Sequence, residues 1–244
     1  MTFDFGIYTY FMLHILSLCF PLLRSFEHRI KYWKQWKYLW QGMIATAVFF
    51  IAFDIWFAYL KIWWFNTAYF SGIWIVNLPL EEWLFFIVVP FCCVFIYEAV
   101  GYYIKGELLK KSSKWITLLL VVLLLCTSIF NYDRMYTFYK LGLAGIGLII
   151  HWIVFKDRYL GKFYVSFFFA CIPFLLYNGV LTSLPVVMYD NTENLNIRLS
   201  SLVGIPFLNI PIEDFGYNLL MLLMNVSFFE YFRQQGKHTT QPNS

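Results

Sequence analysis

Asn77-Leu-Pro-Leu-Glu-Glu-Trp-Leu-Phe-Phe-Ile-Val-Val-Pro-Phe91 sets two adjacent carboxylates at the head of a long apolar run. Charge at the start of such a run is expensive and rarely accidental. The stretch also recurs: Asn209-Ile-Pro-Ile-Glu213-Asp214 opens the last apolar segment, at an offset of 132. Glu98 and Glu230 follow their motifs at the same distance. Two copies of N-[apolar]-P-[apolar]-E-[E/D], each heading a helix, read as an internal duplication.

Working outward, the composition places the chain in a bilayer. It is 61% hydrophobic, 23% aromatic and 13% charged, whereas ordinary soluble domains carry roughly 25% charged residues. The net charge of +4 therefore points to the distribution of loops, not to nucleic acid. Cys19, Cys92, Cys93, Cys126 and Cys171 all lie in apolar segments without metal-ligand spacing, and read as buried reduced thiols.

Seven segments have the length of membrane helices: residues 5–23, 41–62, 80–103, 115–130, 139–155, 162–183 and 212–232. The expected fold is an all-α integral membrane protein. Of the 18 Lys and Arg residues, fourteen fall in the loops after the first, third, fifth and seventh segments. Only Lys61, Arg134, Lys140 and Arg198 fall on the other side, so the amino terminus is expected outside and the carboxyl terminus in the cytoplasm of a multi-pass cell-membrane protein. Segments 1–3 (residues 1–104) then form one repeat and segments 5–7 (residues 139–233) a second. Residues 105–138, with one helix, act as the linker that restores parity, so both repeats run parallel. Asp54 and Asn66 match Asn178 and Asp190 at an offset of 124. Residues 234–244 read as a disordered tail.

Glu81, Glu82, Glu213 and Asp214 lie in first helical turns, where free N–H groups and the helix dipole favour negative charge. Side-by-side carboxylates oppose each other's ionisation, and an acid that keeps its proton can act as a general acid. Asp54, about two-thirds of the way along the second segment, approaches the same depth and joins the candidate catalytic set. Asn178 in the second repeat cannot exchange a proton in the same way, so the halves are expected to differ. Glu98 and Glu230, about 25 Å further along, are expected to pair with bases such as Lys105 or Arg233. Trp56, Trp63, Trp64, Trp74 and Trp83 crowd the first motif. They suit either an interfacial belt or a cavity whose ring faces steady a carbocation. Asn77, Pro79, Trp83 and Phe86, with Asn209 and Pro211, are the candidate substrate-binding residues.

Several chemistries fall away. His14, His28, His151 and His238 are scattered, the last segment has no lysine for a Schiff base, no GxGxxG follows a strand, and no DxxxD is present. Pro79-Leu-Glu81-Glu82 and Pro211-Ile-Glu213-Asp214, in their helical context, resemble the motifs of the lycopene cyclase family that lacks a flavin fold. That resemblance covers nearly the whole chain. It implies redox-neutral cyclisation of the ψ end groups of a linear carotene such as lycopene, in contact with membrane lipid and other enzymes of its pathway. Such an isomerisation requires no cofactor and no metal: it needs an acid, a base, cation stabilisation and exclusion of water. For that chemistry the acid is expected at Glu81 or Glu82, a second site or the base at Glu213 and Asp214, and tuning at Asp54, with one cavity or two. A small proton-coupled transporter and a non-catalytic carotenoid-binding protein remain as alternative readings.

Overall fold

A computed structural model describes residues 5–106 and 109–239. The described helices are α1 (Thr9–Arg24), α2 (Trp36–Tyr59), α3 (Leu80–Tyr103), α4 (Lys110–Phe130), α5 (Met135–Phe155), α6 (Leu160–Ser183), a single turn α7 (Leu199–Val203), and α8 (Glu213–Thr239). Four short strands, β1 (Trp63–Phe65), β2 (Trp74–Ile75), β3 (Leu78–Pro79) and β4 (Val187–Tyr189), lie in the loops at the end of the bundle where α3 and α8 begin. The chain is an all-α membrane protein.

The first six long helices are apolar enough to cross a membrane. The expected seventh, α8, has the length but not the apolarity, because Asn218, Asn225 and Glu230 interrupt it. Those three side chains are nevertheless buried, and so is every residue from Leu219 to Leu223. A helix covered on all sides lies inside the bundle: α8 packs on α2, α5 and α3. In contrast α4 is peripheral, with Trp115, Leu119 and Phe130 exposed. It is fastened to its neighbours by Thr117 Oγ1 to Tyr164 Oη (2.6 Å) and Ser128 Oγ donating to Phe138 O (2.8 Å).

Helix starts depart from the expected bounds in one consequential place. α5 begins at Met135 and not at 139, so Lys140 lies beyond the first turn of the helix and not at its outer end. α8 continues through Thr239 and takes in part of the segment expected as a disordered tail. Residues 240–244 lie outside the described residues. The five cysteines are free, but Cys19 and Cys126 are exposed on helix faces instead of buried.

The packing exchanges equivalent elements. α1 packs on α3 as α5 packs on α8, and α2 packs on α8 as α6 packs on α3. β1 and β4 pair antiparallel, with Trp64 opposite Met188 at the centre and Trp63 and Phe65 opposite Tyr189 and Val187. Trp64 and Met188 are separated by the same offset of 124 that relates Asp54 to Asn178, so equivalent residues meet on a local two-fold axis. At Gly42 the α2–α8 contact is backbone-close: a Cβ there would lie 3.2 Å from Phe229 N. Far from this roof, Glu98 bonds Arg233 (3.0 Å) and Lys162 (3.3 Å), and Arg233 also bonds Glu230. Arg233 is one of the two bases expected there; Lys162 takes the place of Lys105.

Candidate functional site

The acidic pairs sit in the first turns of α3 and α8. Neighbouring residues on an α-helix point about 100° apart, so the two acids of a pair do not share a surface. The expected side-by-side repulsion is therefore not the geometry of either pair. Glu81 turns to its own loop, where Oε1 accepts a hydrogen bond from Ser71 N at 2.8 Å. Glu213 does the same, accepting from Leu195 N (2.7 Å) and Thr137 Oγ1 (2.8 Å). The Oε2 atoms of both are buried without a hydrogen-bond partner among the described residues. These first acids tie the returning loops to the helix starts. Hydrogen bonds to charged groups contribute about 1.5–3 kcal/mol. Glu81→Gln or Glu213→Gln, which keeps an acceptor oxygen, is expected to lose at most that amount for each bond held, one at Glu81 and two at Glu213. The loss should register as earlier melting and faster proteolysis of residues 66–77 or 191–198; unchanged melting and proteolysis would refute the anchoring role.

The second acids face inward, toward one cavity. Glu82 Oε2 accepts from Tyr10 Oη at 2.5 Å. Asp214 accepts three donors: Tyr136 Oη on Oδ1 (2.5 Å), and Asn178 Nδ2 (2.8 Å) and Tyr189 Oη (3.0 Å) on Oδ2. Tyr189 lies in the loop strand β4, where burial and then the Asp214 carboxylate push its phenol well up, so it remains a donor at ordinary pH. Asp54 reaches the same cluster from α2. It accepts from Tyr217 Oη (2.8 Å) and pairs with Lys140 Nζ (3.2 Å).

Glu82, Asp54 and Asp214 line one cavity with about 910 Å³ of empty space. Its polar end lies under the β1–β4 pair, whose Trp63, Val187 and Tyr189 contribute to the wall. An apolar limb continues between α3 and α6 past Val89, Cys92, Cys93 and Ile96. From Glu82 to Ile96 is about 21 Å at 1.5 Å per residue. Phe85, Phe174, Tyr177 and Tyr217 supply ring surface. Both repeats thus contribute to a single chamber.

Lys140 is the residue the sequence reading misplaced. It is buried, its Nζ lies 3.6 Å from the Tyr217 ring centroid, and Tyr136 and Phe57 flank it. The signal was available: Tyr136 and Lys140 occupy the positions in α5 that Tyr10 and His14 occupy in α1. His14 is buried too, with Nε2 2.8 Å from Glu81 O and Nδ1 3.0 Å from Tyr177 Oη. A carbonyl only accepts, so Nε2 carries the hydrogen.

The six candidate substrate-binding residues lie outside this lining and build the scaffold around it. Val76 and Asn77 both have positive φ, forming the two-residue turn between β2 and β3; Asn adopts this conformation readily. Pro79 ends β3 and caps α3, and Pro211 bridges Arg198. Asn209 Nδ2 donates to Thr182 O at 3.4 Å. Trp83 Nε1 donates to Ile75 O at 3.1 Å. Phe86 is buried against Phe50, 6.1 Å between ring centroids; its neighbour Phe85 faces the cavity instead.

Among protein families, the model described as lycopene cyclase matches residues 7–100 and 133–232. The two segments leave out the peripheral α4 and together cover most of the chain. Comparison with curated proteins and with solved structures gives no match.

Proposed function

The chain belongs to the lycopene cyclase family, and from that premise we propose that it closes the ψ end groups of a linear carotene such as lycopene into rings, without net oxidation or reduction. The carrying observation is the convergence of Glu82, Asp54 and Asp214 on one aromatic-lined chamber with a long apolar limb. A proton is added to the terminal isoprene double bond, leaving a tertiary cation. The internal alkene attacks that cation and forms the ring bond, and a proton then leaves the carbon beside the new cationic centre. Substrate and product are isomers, so the enzyme is an isomerase of the intramolecular lyase class.

Donor placement supports a division of labour. Asp214 is surrounded by three donors and Asp54 by a lysine and a tyrosine, as suits anions; Glu82 has the single donor Tyr10. We assign proton delivery to Glu82. Asp214 takes the ring proton; a carbocation yields its proton even to a weak base, so its donors do not prevent this. Asp54, neutralised by Lys140, fixes Tyr217 against the cation. The faces of Phe85, Tyr177 and Tyr217 add cation–π stabilisation, and the apolar walls keep water from quenching the cation. Glu81 and Glu213 act by holding the loops.

The same reading carries the division into repeats 1–104 and 139–233 about a linker, with the amino terminus outside the cell membrane and the carboxyl terminus in the cytoplasm. It places the enzyme in a pathway whose earlier steps supply acyclic carotene within the same bilayer. The test is pigment analysis of lycopene-accumulating cells expressing the intact chain. Cyclic carotenes are expected to replace lycopene. Lycopene left unchanged beside folded membrane protein would overturn the catalytic reading in favour of binding or transport.

A further inference from the structure

The chamber has a counterpart that is narrow. Exchanging the repeats carries the apolar limb beside α6 to the space among α2, α5 and α8. Ser17, Phe174 and Tyr177 on the open side then correspond to Leu143, Phe50 and Phe53. That second space is much smaller: about 270 Å³ against about 910 Å³ on the open side, each including its opening to the surroundings. Phe50 packs 4.8 Å from Tyr217 and Phe49 packs 5.0 Å from Phe53, centroid to centroid. Beyond them Gly42 brings the backbones of α2 and α8 into contact. Among the described residues, near-symmetric packing thus leaves one roomy limb and one narrow one.

From this asymmetry we infer that the site seats a linear polyene by one end only, with the remainder of the molecule leaving through the α3–α6 limb. The inference rests on the cyclase reading and deepens it. The end group lies at Glu82 and Asp214, and the conjugated chain runs past Val89, Cys92 and Ile96 toward lipid. The other end group has no second seat, since Phe49, Phe50 and Phe53 occupy it. A two-ring product therefore needs two visits: the one-ring carotene must leave, turn end for end and re-enter. Each visit is the same atom-balanced isomerisation, so no co-reactant is needed.

The experiment uses the full chain in lipid vesicles loaded with lycopene, with two readouts: pigment retained on the repurified protein, and the time course of one-ring and two-ring carotenes. Ala170→Trp and Ser17→Trp place an indole in the limb; Phe50→Ala widens the narrow side. Retention is expected to fall by about tenfold or more in a limb-filling variant whose melting matches the wild type, and to survive Phe50→Ala. One-ring carotene is expected to exceed the protein concentration before two-ring product builds up. Two-ring product formed without free one-ring carotene would overturn the inference, as would retention indifferent to both limb-filling variants. Ser17→Trp, at the half-exposed mouth, keeps the test open if Ala170→Trp does not fold. Plug-sensitive retention with no ring formed by the wild type would overturn the cyclase reading while leaving the one-ended seat intact.

Discussion

Glu82→Gln is expected to lower ring formation by about 10²–10⁴-fold, the usual contribution of a general acid, while acyclic pigment remains bound. Gln preserves the volume and an acceptor for Tyr10 Oη, which lies 2.5 Å from Glu82 Oε2, so the chamber keeps its shape. Only the transferable proton is gone. Single-turnover assays on vesicle-bound substrate, with pigment retention measured in parallel, separate lost chemistry from lost binding. Turnover within a few-fold of wild type would remove Glu82 from the acid role and return attention to Asp214. Glu81→Gln provides the contrast: the neighbouring carboxylate holds Ser71 N and faces away from the chamber, so its loss should tell on stability more than on the proton-transfer step.

Lys140→Met should unfold the protein more readily than any loop-anchor substitution. Lys140 and Asp54 are both buried and pair at 3.2 Å. Removing one member of a buried pair strands the other charge, at a cost of about 3–5 kcal/mol, whereas replacing both is often nearly neutral. The double variant Asp54→Asn, Lys140→Met is therefore expected to recover most of the lost thermal stability while still lacking the anion beside Tyr217. Denaturation in matched lipid or detergent measures this. A double variant no more stable than Lys140→Met alone would show that the two residues contribute separately and not as a pair.

The membrane architecture was legible because apolar length is a strong signal: residues 80–103 were expected as one helix and α3 is Leu80–Tyr103. The acidic motifs were legible for the same reason, as charge in apolar surroundings. Their internal division was not, because the two adjacent acids look alike in sequence and only the helical rotation sends Glu81 to a loop and Glu82 to the cavity. Lys140 was counted with the outer-side charges, at the very start of the fifth segment, because the start of α5 falls at Met135, a few residues earlier than hydropathy suggests. Phe86 was preferred to Phe85 for want of any marker of which face turns inward. Asn77, chosen as a substrate contact, instead owes its place to a backbone that turns with positive φ. The single chamber was open in the sequence because two similar halves permit either one shared pocket or two separate ones; side-chain bulk at Phe49, Phe50 and Phe53 decides it.

The enclosure of α8 bears on how the chain is made. This helix leaves the ribosome after the six long helices before it, yet it carries Asn218, Asn225 and Glu230, which partition poorly into lipid on their own. Its partners α2, α3 and α5 are synthesised earlier and must wait with unfilled faces, among them the Gly42 contact surface. The nascent protein therefore resembles an open clamp until α8 is made, and that helix enters a protein groove instead of bare bilayer. Asp214 arrives with it, so the chamber gains its third carboxylate only when α8 has seated.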